Sequence, residues 1–256
     1  FLGVLCLGIL IRLYYFVITI NQPLWWDEAE YLLMSKYFAT GEKFIDLLAS
    51  RPLLLPIIFS FFIKIGLGSE ITYRFIEFLM SSVGLIFIYL TVKELYNKEA
   101  AIVSTLLLST FYLHLFYTSR ILLDSISPTF WIISIYFFTK GYLLKEDNKK
   151  FYLSAFFGAI GVFLYNQTIA LFIVYLIFLL IVEKSNLFRQ KRFYIFGLTA
   201  LLTFSPNFIL NQIIYKNPLE FVTKGIEVGN VLGADYSENL LIYLKYFPSY
   251  LGPILL

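Results

Sequence analysis

Three carboxylates, Asp27, Glu28 and Glu30, follow one apolar run directly and stand beside the indole pair Trp25-Trp26. Acids held at a membrane surface next to an apolar cavity can act as a general base or bind a cation. The same residues can do a simpler job. Asp27 can cap a helix running from Glu28 to Thr40, with Glu30 as capping-box partner and Gly41 as the stop. The two uses are compatible, because a capping carboxylate keeps a free oxygen. Further along, Arg12, Arg74, Glu77, Arg120 and Asp124 lie within or at the ends of apolar runs. Each intramembrane charge costs about 2.5–3.5 kcal/mol on insertion scales, so each needs a partner or a watery cavity. Arg74 can pair with Glu77 three residues on, Arg120 with Asp124 four residues on, and Arg12 can snorkel outward. Taken together with Arg51, these residues suit a site that holds a phosphate and activates a nucleophile. A guanidinium fork matches phosphate oxygens in geometry and charge.

The elements that must position these groups are membrane helices. The 256 residues are 59% hydrophobic and 14% charged, with a mean hydropathy of +0.78; this predicts an all-α, polytopic membrane bundle. The net charge of +3 is scattered over loops and forms no basic block for nucleic acid. A single cysteine, Cys6, excludes an internal disulfide and a cysteine metal cluster, and a single histidine, His114, excludes a multi-histidine site. Cys6 reads as a packing residue and His114 as a buried hydrogen-bonding one. There is no internal repeat and no Gly-rich phosphate loop.

Apolar runs cover about 1–20, 52–66, 71–92, 100–118, 127–144, 151–165, 168–182 and 193–210, and another begins near 239. The run 52–66 opens with Arg51-Pro52 and carries Lys64, so it reads as a juxtamembrane helix in the first outer loop. About seven spans remain, with a tight hairpin at Asn166-Gln167 whose tip lies in a polar cavity. The short segments 93–99, 140–150 and 184–192 hold ten of the twenty Lys and Arg residues. The positive-inside rule makes these loops and the N-terminus cytoplasmic. Residues 21–70, 119–126, 166–167 and 211–238 then face outward, which puts Asp27 and Asp124 on one side. The chain starts at Phe1 and stops in Pro253-Ile254-Leu255-Leu256, and it reads as a fragment. Its first run, with Arg12 and no small-residue cleavage site, reads as a retained span rather than a signal peptide.

These pieces resemble the GT-C superfamily of polyprenyl-phosphate-sugar-dependent glycosyltransferases, in particular the protein O-mannosyltransferases and the lipid A aminoarabinose transferases. The matching residues are Ile11-Arg12-Leu13, Trp26-Asp27-Glu28-Ala29-Glu30-Tyr31, Arg51-Pro52-Leu53, Gly66-Leu67-Gly68-Ser69-Glu70, Tyr73-Arg74-Phe75 and Ser119-Arg120-Ile121-Leu122-Leu123-Asp124. The resemblance covers about residues 8–185. It implies that residues 1–210 are the shared transmembrane module, and that 211–256 are an outer loop leading into a further, truncated helix. It implies Asp27 as the base, Glu28 supporting it, and Asp124 as a second acid at the cavity mouth. Arg51, Arg74, Arg120 and Arg12 become donor-phosphate ligands, with Glu30 and Tyr31 binding substrate. The implied partners are a polyprenyl-phosphate-linked sugar, an acceptor protein, lipid or glycan, and the bilayer of the plasma membrane. No cofactor is required, although Asp27, Glu28 and Asp124 offer oxygen ligands to a divalent cation. Two departures stand out: Leu53 where many relatives have a second proline, and Asn166-Gln167 where several have Lys-Gly. The rival readings are a transporter or flippase of a lipid-linked or anionic substrate, and a non-catalytic subunit of GT-C type.

Overall fold

A computed structural model of the chain describes residues 1–42 and 51–235. Among these residues the fold is all-α, as expected, with eleven α-helices in the order α1 Leu2–Thr19, α2 Trp26–Thr40, α3 Leu54–Lys64, α4 Glu70–Leu95, α5 Lys98–Thr110, α6 Tyr112–Tyr117, α7 Leu123–Phe138, α8 Asn148–Leu164, α9 Ile169–Glu183, α10 Lys191–Tyr215 and α11 Glu220–Asp235. Short polar residues start several of them. The Ser69 hydroxyl accepts from the Thr72 N–H at 3.2 Å, Asn97 Oδ1 from Ala100 at 2.8 Å and Asp147 Oδ1 from Lys149 at 2.9 Å; each satisfies a backbone donor that the first helical turn leaves open. Gly41, at φ 78°, stops α2 at the expected place.

Among the described residues, four segments are long and apolar enough to cross a membrane: Leu2–Thr19, Glu70–Leu95, Asn166–Arg189 and Lys191–Tyr215. Leu10 and Val17 of α1, Ile181 of α9 and Leu202 of α10 point outward, as expected where lipid replaces water. The chain is therefore a multi-pass integral membrane protein. The other expected crossings are shorter or divided. The run 100–118 breaks at Phe111 between α5 and α6, and α7 ends in a π-helical turn at Thr139–Leu143. At about 1.5 Å per residue the 11-residue α3 spans roughly 16 Å, too little to cross, which agrees with its juxtamembrane reading. The expected hairpin is present: a 3-10 turn at Asn166–Thr168 joins α8 to α9.

The stretch expected as an outer loop at 211–238 is largely helical up to Asp235. The helix α10 continues to Tyr215, and α11 follows after a short turn. Its signal was local: Asn217-Pro218 makes the turn before the helix, where Asn217 Oδ1 accepts the Leu219 N–H at 3.1 Å and the Asn217 amide donates to Glu220 Oε2 at 2.8 Å. The further helix expected from 239 lies outside the described residues, as do residues 43–50 of the first outer loop.

The bundle has two unlike ends. At one, the three basic loops meet. Lys140 pairs with Glu94 at 3.1 Å and with Glu146 at 2.5 Å, and the Tyr142 hydroxyl donates to Glu183, which also accepts from Arg192 at 2.9 Å. At the other end α2 and α3 pack over the starts of α4 and α7 and the end of α8. An apolar core of Tyr31, Leu55, Phe59, Tyr73, Ile121 and Leu164 holds them there.

Candidate active site

Helix α2 carries the acidic motif, and its N-terminus differs from the capping scheme read in the sequence. Trp25, not Asp27, is the N-cap. The carboxylate that reaches back is Glu28, whose Oε2 accepts the Trp25 N–H at 2.7 Å, and Glu30 is not the capping partner. The physical reason is the start of the helix, two residues earlier than expected, which moves the third helical position from Glu30 to Glu28.

Glu28 is fully buried and both of its oxygens are taken. Oε1 accepts the Ile121 N–H at 2.8 Å and lies 3.7 Å from Arg74 Nη1, while Oε2 also accepts from Arg120 Nη1 at 3.2 Å. Arg74 donates in addition to the Ser119 and Gln22 carbonyls, at 2.9 and 3.1 Å. Arg120 donates to the Pro23 carbonyl and to Gln22 Oε1, and its guanidinium lies 4.4 Å from the Trp25 ring centre. One carboxylate thus ties together the end of α1, the start of α2, helix α4 and the segment 118–122. The expected Arg74–Glu77 and Arg120–Asp124 pairs do not form, because Glu28 offers both arginines a closer, desolvated partner. Gln22, which the sequence reading passed over, completes this node.

Asp27 is one residue away and about 100° around the helix, on the other side of α2. Its two oxygens face Arg51: Nη1 donates to Oδ2 at 3.0 Å and Nη2 to Oδ1, a two-pronged pair. Arg51 Nε donates to Glu30 Oε2 at 2.7 Å, and the Trp26 indole N–H donates to Glu30 Oε1. The Asp27 side chain is 44% exposed and Arg51 27%, against 11% for Glu30. Partial burial opposes the Arg51 charge, yet Asp27 and Glu30 outweigh it and raise the guanidinium above its ordinary value. Burial pushes the Tyr31 phenol up, Arg51 pulls it down, and Asp27, Asp124 and Tyr165 push it further up. Tyr31 therefore remains a neutral hydroxyl.

Asp124, in the first turn of α7, belongs to the same field. The charges of Asp124, Arg51 and Asp27 all reach Tyr165, at the end of α8. Asp124, Trp131, Tyr165 and Gln167 line a cleft of about 470 Å³ beside the hairpin turn. Pro128 has no N–H to offer the Asp124 carbonyl four residues earlier, so this cleft is also where α7 is weakest in backbone pairing. Tyr165 was absent from the sequence reading; its place before the Asn166-Gln167 turn was the available signal.

Arg12 stands apart. It is fully buried and donates to the Gly8 carbonyl at 3.2 Å and to His114 Nδ1 at 3.1 Å, so it does not snorkel. His114 is the buried hydrogen-bonding residue expected, whereas Cys6 is exposed rather than packed inside. The four arginines therefore do not form one cage. Arg51 alone is half-open beside Asp27, Arg74 and Arg120 are spent on Glu28, and Arg12 on His114. Among the described residues, no three His, Cys, Asp or Glu side chains are grouped so as to hold a metal ion. Glu28 is unavailable to one in any case.

The site therefore combines a partly exposed acid, an arginine fork, a second acid lining a cleft of its own, and neutral tyrosines. That set can take a proton from a hydroxyl and hold an anionic leaving group. Among known proteins, no curated sequence and no solved structure matches the chain. The sequence model of one family, described as dolichyl-phosphate-mannose-protein mannosyltransferase, matches residues 50–210.

Proposed function

From its membership of the dolichyl-phosphate-mannose-protein mannosyltransferase family, to which the chain belongs and which makes it a membrane glycosyltransferase of GT-C type, we propose that it moves a sugar from a polyprenyl-phosphate donor to an acceptor hydroxyl on the extracytoplasmic side. By the family's description the sugar is mannose and the acceptor is a protein. The observation that carries this reading is the part-exposed Asp27–Arg51 pair, whose guanidinium is also held by Glu30.

The chemistry follows from that pair. Asp27, Glu30 and Arg51 sum to one negative charge, so an anionic donor enters by exchange. Its phosphate takes the Nη1 and Nη2 prongs from Asp27, while Glu30 keeps Nε and holds the guanidinium in place. Asp27 is thereby freed. The acceptor oxygen attacks the anomeric carbon from the face opposite the phosphate, the carbon–phosphate oxygen bond breaks, and the sugar inverts. Asp27 receives the hydroxyl proton, a contribution that is typically about 10²–10⁴-fold. Arg51 stabilises the charge building on the departing phosphate. Asp124, Tyr31 and Tyr165 orient the sugar and the acceptor across the cleft. Glu28, Arg74 and Arg120 hold the frame from behind rather than touching substrate, and Arg12 stays outside the site.

The orientation rests on charge. The three loops rich in Lys and Arg gather at the end opposite Asp27, and the positive-inside rule assigns that end and the N-terminus to the cytoplasm. The test is direct. The full-length protein in liposomes is given radiolabelled polyprenyl-phosphate mannose and, in parallel, other polyprenyl-phosphate sugars, and the labelled product is identified. Label on a protein hydroxyl from the mannose donor is the expected result. No transfer from any such donor overturns the reading.

A further inference from the structure

We infer that Glu77 is a positioning residue for Asp124 and acts as the neutral acid, an inference that rests on reading Asp124 as part of the reaction site. Glu77, in α4, and Ser125, next to Asp124 in α7, are both completely buried. The Ser125 hydroxyl donates to Glu77 Oε2 at 2.7 Å, and Glu77 Oε1 is buried with no partner. No cation pairs with it among the described residues. Arg74, one turn earlier on α4, is committed to Glu28 and to the Ser119 and Gln22 carbonyls.

An ionised carboxylate there would be desolvated and bonded at one oxygen only. Carrying its proton removes the charge that makes this costly. The seam around it is closed. Thr129 Oγ1 donates to the Met80 carbonyl at 3.2 Å, and a side chain at Gly84 would press on Thr129. This leaves little room for a counter-ion between α4 and α7.

The arrangement makes α4 a ruler. Arg74 grips Glu28 and so sets the rotation of α2, which carries Asp27. Glu77, one turn later, grips Ser125 and so sets the start of α7, which carries Asp124. Two acids nearly a hundred residues apart in sequence are thereby hung from adjacent turns of one helix.

The test has two readouts on the full-length protein. The first is the infrared carboxyl band of a protonated acid in glutamate-labelled protein at mildly alkaline pH, which does not depend on any activity. The wild type should have the band and Glu77→Gln should lack it; its absence from wild type, or its persistence in Glu77→Gln, overturns the neutral acid. The second is transfer. Glu77→Ala and Ser125→Ala should each lower kcat by about ten- to a hundredfold through misplacement of Asp124, and the double variant should be no worse than either. Glu77→Gln, which keeps an acceptor for Ser125 without charge, should rescue kcat. A Glu77→Gln variant as impaired as Glu77→Ala overturns the positioning role. If wild type carries the band but transfers nothing from any lipid-linked sugar, the functional reading fails while the neutral acid stands.

Discussion

Asp27 and Glu28 are neighbours in the chain and share a charge, yet they live in opposite surroundings. Glu28 is wholly buried, saturated by two arginines and two backbone N–H groups, and joins four segments of the chain. Asp27 is 44% exposed and held by a single arginine that is itself part-open. The difference teaches how a helix divides labour between adjacent carboxylates. One residue's step turns the side chain from the core to a part-exposed face, so one acid becomes structural and its neighbour is left for chemistry. The arginines divide in the same way: Arg74 and Arg120 are the price of anchoring Glu28, and Arg51 stays exchangeable.

The sharpest way to break the comparison is to neutralise Asp27. In Asp27→Asn, kcat should fall by about 10²–10⁴-fold, the usual span of a lost general base. Thermal stability should change little, since part-exposed ion pairs contribute only about 0–1 kcal/mol. Sugar transfer at the wild-type rate in that variant would show that Asp27 is not the base. Glu28→Ala should do the reverse. It strands two arginines in the interior, and breaking a buried pair costs about 3–5 kcal/mol. Denaturation in detergent should register this as a large loss of stability, and an Ala variant as stable as wild type would remove Glu28 from the frame.

A smaller effect is expected at Arg51. Arg51→Lys keeps the charge and loses the fork, which forfeits a charged hydrogen bond of about 1.5 kcal/mol. The donor KM should rise about tenfold, with stability nearly unchanged; an unaltered KM would mean that the phosphate binds elsewhere. The smallest is at Tyr31. Burial keeps its phenol above the ordinary value of 10.0, so it adds no break to the rate–pH curve below that value. Tyr31→Phe should leave the shape of that curve unchanged and lower the rate only modestly. A lost alkaline limb would mean that the phenol titrates in the working range.

Much of this was legible along the chain. Hydropathy, the spacing of apolar runs and the three basic loops pointed to an all-helical membrane bundle. The tryptophan–acid motif, Arg51 and Asp124 pointed to one end of it. Local signals also sufficed for α3, for the stop at Gly41 and, had it been read, for the Asn217-Pro218 turn that leads into α11.

What the sequence by itself determined is which residues must be accounted for. A buried charge is too costly to leave alone, so Arg12, Arg74, Glu77 and Arg120 each demand a partner on sequence grounds alone. Which partner each one takes was decided by the tertiary structure alone. Spacing of three or four residues offered Arg74 to Glu77 and Arg120 to Asp124. Packing instead brought Glu28 between both arginines, gave His114 to Arg12, and left Glu77 with a serine. The reason is that local spacing only makes a pair available, while desolvation selects the partner that closes most completely around the charge.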